Sequence, residues 1–289
     1  MIEVLNAIKS TALFLIKTVP IIAVAMFFTS QLIKRGVIDY ISDRFSKLNL
    51  SGIAIATAST CFLSPLVAYS MLSQAWKEGK VDEREIIAIS FLSSFPSMFS
   101  HLYTFFIPFV IPILGFAGIV YTLTRLYVAI VKTVIGYVLA SRFKSKVKVI
   151  KRDIDYPVLK NLKRVLPVIA LTYFTASVIN NYGFFELFDR VLYFIPLNPK
   201  AIGIAIVEVF NFRAAVVLAA NLMDNGLGIK WVVVGLILGN VISLSARSVR
   251  HSLPIHLSLF GRLGVKIVLL NSFVTMLLDL ILILIILSI

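Results

Sequence analysis

The chain has a single cysteine, Cys61, in 289 residues. One thiol excludes an internal disulfide and any C-x-x-C redox or zinc pair. Histidine is almost as scarce, and His101, His251 and His256 do not form a metal-ligand set; H-E-x-x-H is absent. So is G-x-x-x-x-G-K-[ST], which removes the standard ATP-driven motor. No catalytic serine stands out among the many serines that suit helix packing. Neither an enzyme nor a bound cofactor or metal is therefore expected. Charge is thin as well: Asp, Glu, Lys and Arg make up 15% of the chain, against 59% hydrophobic residues, with a mean hydropathy of +0.97. A soluble domain of this size could not hide so much apolar surface.

What is present is apolar sequence in long runs. Thr11–Ile33 is interrupted only by Lys17, and Met276–Ile289 is nearly all Leu and Ile. Crossing a hydrocarbon core takes about 20 such residues. Thr11–Ile33 lacks a small-residue cleavage site and its pattern returns in mid-chain, so it reads as a span and not as a cleaved signal.

That return is general. Pro20, Gly36 and Gly79 have counterparts 147 residues on, at Pro167, Gly183 and Gly226. "PIIAVAMFFTSQLIKRG" matches "PVIALTYFTASVINNYG", and "YSMLSQAWKEG" matches "VVLAANLMDNG". A duplicated membrane unit is a common plan for transporters, with the site where the halves meet. Each half reads as a span (Thr11–Ile33 or Val165–Asn180) and a short segment (Val37–Leu48 or Phe184–Ile195). A second span (Gly52–Trp76 or Ala201–Met223), a third (Ile86–Phe106 or Trp231–Val249) and a fourth (Gly115–Ala140 or Leu263–Leu287) follow. The short segment Val37–Leu48 is amphipathic and too short to cross, so it is interfacial or re-entrant. Pro96, Pro108 and Pro112 interrupt helices. The expectation is an all-α polytopic membrane protein. It has two tandem repeats of about four transmembrane helices each, with short interfacial or re-entrant helices and broken helices. Residues 1–140 form the first repeat, 141–164 a basic linker and 165–289 the second repeat. Four spans per half would set the repeats parallel.

The net charge of +14 is concentrated. Ser141–Arg164 holds nine Lys or Arg against Asp153 and Asp155. Beside membrane helices this is a cytoplasmic loop near anionic headgroups and not a nucleic-acid surface. The protein is expected in the plasma membrane, multi-pass, with both termini cytoplasmic.

Ionisable residues inside a membrane are costly and point to function. "IVEVFNFRAA" carries Glu208, Asn211 and Arg213, which do not share one helical stripe. Either the segment is locally unwound or Glu208 pairs with another helix. The equivalent stretch of the first half places Ser64 and Pro65 opposite, and a proline there frees backbone carbonyls. These five residues outline a solute site near mid-membrane; the alternative is an ion pair that only fixes packing. Arg247 suits an anion or a charge partner. Arg250 and His251, and Arg262 with Lys266, are read as headgroup contacts at helix ends or as secondary sites. Arg125 and Lys132 share a helix face, and snorkelling is expected of Arg125. Asp279 needs a partner, and a helix–helix contact is expected. Gly235 and Gly239 form a GxxxG for close packing.

A helix ending in Gly36, a short amphipathic helix, then an apolar helix running into "KEGKVD" resembles the nucleoside-recognition, or Gate, domain. That domain occurs in concentrative nucleoside transporters, in the membrane part of ferrous-iron transporters and in paired spore-maturation membrane proteins of prokaryotes. Two copies would cover about Val19–Gly118 and Leu166–Gly264. The resemblance implies transport of a small polar solute, nucleoside-like or anionic, with a coupling proton or sodium ion. It carries no site residue over. The rival expectations are a membrane scaffold, with a membrane partner or a second copy of the chain, and a lipid-handling protein.

Overall fold

The computed structural model describes residues 2–34, 50–62, 64–143, 158–182, 197–247 and 252–289. The two short segments Val37–Leu48 and Phe184–Ile195, most of the basic linker, and Arg250 and His251 lie outside the described residues. The regular structure among the described residues is helical. In chain order the helices of the first half are α1 (Ile2–Lys34), α2 (Gly52–Cys61), α3 (Pro65–Lys77), α4 (Glu83–Leu92) and α5 (Ser94–His101). A π-helical run, Leu102–Val110, follows, then α6 (Ile111–Leu114) and α7 (Phe116–Ala140). The second half holds α8 (Val158–Asn181), α9 (Pro199–Phe210), α10 (Phe212–Asp224), α11 (Ile229–Arg247), α12 (Leu253–Phe260) and α13 (Arg262–Ser288).

Among the described residues four helical stretches are long and apolar enough to cross a membrane: Glu3–Val24, Glu83–Leu114, Phe116–Ala140 and Arg262–Ser288. Their outward faces carry Leu, Ile, Val and Phe, for example Ile16, Leu123, Leu269 and Leu284, as lipid contact requires. This is a membrane protein built of helices.

The second span expected in each half is instead two short helices folded back on each other. α2 is 10 residues and α3 13 residues. Laid end to end they would separate Ser51 from Lys77 by about 39 Å at 1.5 Å per residue. Yet Ser51 Oγ donates to Glu85 Oε1 at 2.5 Å, at the start of α4, where the end of α3 also arrives. The start of α2 and the end of α3 therefore sit side by side. In the second half Ala201, near the start of α9, packs on Gly235, early in α11, so α9 and α10 fold back in the same way. The break falls at Ser64 (φ −155°, ψ 107°) and at Asn211 (φ −156°, ψ 109°). Both residues are extended, and their side chains cap the following helix. Ser64 Oγ accepts from Val67 N, and Asn211 Oδ1 from Arg213 N and Ala214 N. A run of apolar residues at helical spacing does not reveal such a reversal, because both arms keep the helical period.

The long stretch Glu83–Leu114 is jointed. Pro96 has no N–H for the Leu92 carbonyl, and the Thr133 hydroxyl of α7 fills the gap. It donates to Leu92 O at 3.1 Å and accepts from Phe95 N at 2.8 Å. Gly136 lies against the Phe91–Leu92 backbone and Gly118 against Val110 O, so α7 runs antiparallel to this stretch. One end of the bundle carries Glu83, Ala140 and Arg262, and the other Leu114, Phe116 and Ser288. The first hairpin starts from the Glu85 end. The second starts from the far end, where Ala220–Asn225 meet Pro112–Gly115 and Lys230 Nζ donates to Leu287 O at 3.2 Å.

Candidate functional site

The two hairpin tips converge on the middle of the Glu83–Leu114 stretch. At the first tip Phe62 packs edge-on against Phe95 and Phe99, and Tyr103 Oη donates to Phe62 O at 2.7 Å. That bond serves a carbonyl left open where α2 ends. At the second tip the Phe212 ring stacks near Phe105, with centroids 5.5 Å apart, and Tyr121, at 5.9 Å. Half-helix ends thus lie inside the bundle, beside side chains that can engage a polar ligand.

A cavity of about 670 Å³ opens beside the second tip, lined by Glu208, Asn211, Phe212, Phe105, Tyr121 and Arg125, with Ser97, His101 and Asn240. Glu208 is buried at 2% exposure in the last turn of α9. It reaches this depth because Gly239 of α11 has no side chain: a Cβ there would stand 2.5 Å from Glu208 Oε2. Gly235 admits the Ala201 backbone in the same way. The GxxxG expected to bring helices together does so, and one of its glycines makes room for the acid.

At the centre of the site Asp279 makes the helix–helix contact expected of it, but sequence reasoning missed its partner. Arg125 does not snorkel. Its guanidinium makes a two-pronged ion pair with Asp279, at 3.0 and 2.5 Å, with side-chain exposures of 10% and 0%. Asn240 Nδ2 also donates to Asp279, and Arg125 stacks over Tyr121 at 5.4 Å. α7, α11 and α13 are locked together by these three polar side chains. The signal in the sequence was one acid in the apolar tail and one arginine in an apolar helix, each needing the other.

The other expected residues divide. Glu208 and Asn211 share the cavity. Asn211 is the point of unwinding itself. Arg213, next along, lies with its guanidinium 5.8 Å from the Phe105 ring centre. Ser64 and Pro65 mark the first tip and are not among the described residues lining this cavity. They do not form its opposite wall, because that wall comes from α5, the π-helical run and α7. Arg247 is the last residue of α11, and its side chain lies outside the described set. Arg262 and Lys266 are exposed on the first two turns of α13, away from the cavity lining. Among the described residues no group of three His, Cys, Asp or Glu is placed to hold a metal.

These features define a class: an all-helical membrane protein with two broken-helix hairpins and a buried ionic cluster between them. The chain is 35% identical to uncharacterized protein MJ0871 of Methanocaldococcus jannaschii, over 95% of its own length and 94% of that protein's. It belongs to that family. Two further uncharacterized proteins of the same organism, MJ1556 and MJ0880, are 27% and 26% identical over 90% and 78% of the chain, covering 90% and 81% of their own lengths. No protein-family model and no solved structure matches the chain.

Proposed function

We propose that this protein is a permease for a small polar solute, bound in the cavity at the second hairpin tip. One observation carries the reading. Two hairpins, broken 147 residues apart at the same backbone conformation, come from opposite ends of the bundle to the middle of the Glu83–Leu114 stretch, the second beside a cavity holding buried ionisable groups. Equivalent helices also run in opposite directions. α1 lies antiparallel to α8, with Ser10 on Ser177 and Phe14 stacked on Tyr173. α7 lies antiparallel to α13, with Arg125 on Asp279 and Lys132 on Thr275. An inverted repeat of this kind supports alternating access, because swapping the conformations of the two halves exchanges the open side. The expected parallel arrangement gives way to it, since a hairpin adds no net crossing.

The lining suits a flat, polar ring. Phe105, Tyr121 and Phe212 form an aromatic wall, and Glu208, Asn211, Arg125 and Asn240 offer directional hydrogen bonds. A nucleoside or nucleobase fits that description, in keeping with the resemblance to Gate domains. Coupling would rest on Glu208, whose carboxylate can exchange a proton or accompany a sodium ion. Lys77, Lys80, Arg84, Arg142 and Arg262 gather at the Glu83 end, which the positive-inside rule assigns to the cytoplasm. The C-terminal Ile289 then lies outside, against the expectation of a cytoplasmic C-terminus.

The deciding experiment is uptake of labelled nucleosides and nucleobases into proteoliposomes under a proton or sodium gradient. Saturable uptake that Glu208→Gln abolishes, with the protein still folded, supports the permease. Absence of uptake for all solutes, together with Asn211→Cys in a Cys61→Ser background resisting water-soluble thiol reagents, would move the reading to a scaffold without a hydrated path.

A further inference from the structure

A second cavity, of about 320 Å³, lies on the other side of Arg125. It shares Ser97, Met98, Arg125 and Asn240 with the first and continues between α4, α5, α7 and α13. Its distinctive residue is Lys132. The ammonium has three donors, and among the described residues its hydrogen-bond partner is Thr275 Oγ1 at 3.2 Å; the Phe91 ring lies 5.8 Å away. Around it are Ser90, Ser94, Asn271 and Ser272. No carboxylate is among the described residues lining this cavity. The nearest acid of the cluster, Asp279, is engaged by Arg125 and Asn240, and Arg125 Nε has no hydrogen-bond partner among the described residues.

Within this cavity, then, the described lining carries cations and no acid. Arg125 pairs with Asp279 and faces Glu208 across the first cavity, whereas Lys132 has no carboxylate among the described residues of its own cavity in the membrane-embedded bundle. An unpaired charge in such a place is costly, and an anion in the adjoining space removes that cost with charge-assisted hydrogen bonds. The Ser94 hydroxyl, which also lines the cavity, supplies a further donor. We propose that the Lys132 cavity binds a small oxyanion, a phosphate or carboxylate group, held by Lys132 with Arg125 at its edge. The site adjoins the ring-binding cavity, with Arg125 between them, and stands or falls by binding, whereas the permease reading is decided by uptake.

The test is calorimetric titration and thermal unfolding of the delipidated protein in neutral detergent at constant ionic strength. The probes are inorganic phosphate, succinate and phosphatidylglycerol. The proteins are wild type, Lys132→Gln, Ser94→Asp and the exposed control Lys9→Gln. Saturable phosphate or succinate binding, weakened at least tenfold in Lys132→Gln and unchanged in Lys9→Gln, establishes a site for a soluble anion. A response to phosphatidylglycerol alone, with the same dependence on Lys132, assigns the site to a lipid headgroup. Ser94→Asp places a carboxylate within the cavity. It should raise the unfolding temperature without added anion and cancel the anion-dependent rise, which keeps the test informative should Lys132→Gln fail to fold. Binding of none of the three probes, or equal binding with Lys132 replaced, overturns the proposal.

Discussion

Asp279 shows how a single side chain acts in this bundle. With Arg125 and Asn240 it forms the ionic knot of three helices, and removing one partner from a buried pair leaves an uncompensated charge. Asp279→Ala should therefore destabilise the protein by about 3–5 kcal/mol, measured by denaturant unfolding in detergent. The double variant Arg125→Met, Asp279→Leu should recover most of that loss; if it is no better than the single variant, the pair is not the origin of the effect. Thr133 makes a smaller but equally specific contribution. Its hydroxyl serves both Leu92 O and Phe95 N around the gap left by Pro96. Thr133→Val conserves shape and should cost about 1–3 kcal/mol by leaving buried backbone groups unsatisfied. At this scale the sequence was half legible. Glu208 and Asn211 announced themselves as polar residues in an apolar run. Arg125 and Asp279 lie 154 residues apart, and nothing local to either says that they meet.

The hairpin is the element on which the site depends, and its two ends are built by different means. At the tip, Asn211 caps α10 through Oδ1. Asn211→Ala should cost about 1 kcal/mol, whereas Asn211→Asp should retain most of the cap, which circular dichroism during thermal unfolding can follow. At the base, Gly79 (φ 69°) and Gly226 (φ 88°) close α3 and α10. The bonds are the same in both: Gly79 N to Trp76 O and Lys80 N to Ala75 O, Gly226 N to Met223 O and Leu227 N to Leu222 O. This is the paired 6→1 and 5→2 closure of a helix that ends in a left-handed residue. Nothing lies within 4 Å of a Cβ built on either glycine, so alanine there meets backbone strain alone. The bases were readable from the sequence because glycine after a helix has a local cause. The tips were not. Ser64-Pro65 reads equally well as a kink or as a helix start, and which of these applies was decided by the packing of α2 on α4 and of α9 on α11.

The Pro and Gly matches 147 residues apart were visible in the sequence, but the end of the bundle from which each hairpin enters was not. Parity decides orientation, and parity changes when a presumed span proves to be a hairpin that leaves by the side it came from. The distinction can be measured with two residues. Lys80 follows the base of the first hairpin, and Asn225 sits at the base of the second; both are exposed. If Gly52–Trp76 and Ala201–Met223 each crossed the membrane in parallel repeats, Lys80 and Asn225 would lie on the same side. In the structure Lys80 is at the Glu83 end and Asn225 at the Gly115 end. Single cysteines at the two positions, in a Cys61→Ser background, should react with a membrane-impermeant maleimide from opposite faces. Asn225→Cys should label in intact cells, and Lys80→Cys only after the membrane is opened, given the basic end inside. The reverse pattern would invert the whole molecule and leave the two-fold relation intact. Labelling of both from one face would remove the inverted repeat and, with it, the alternating-access argument for the hairpin tips.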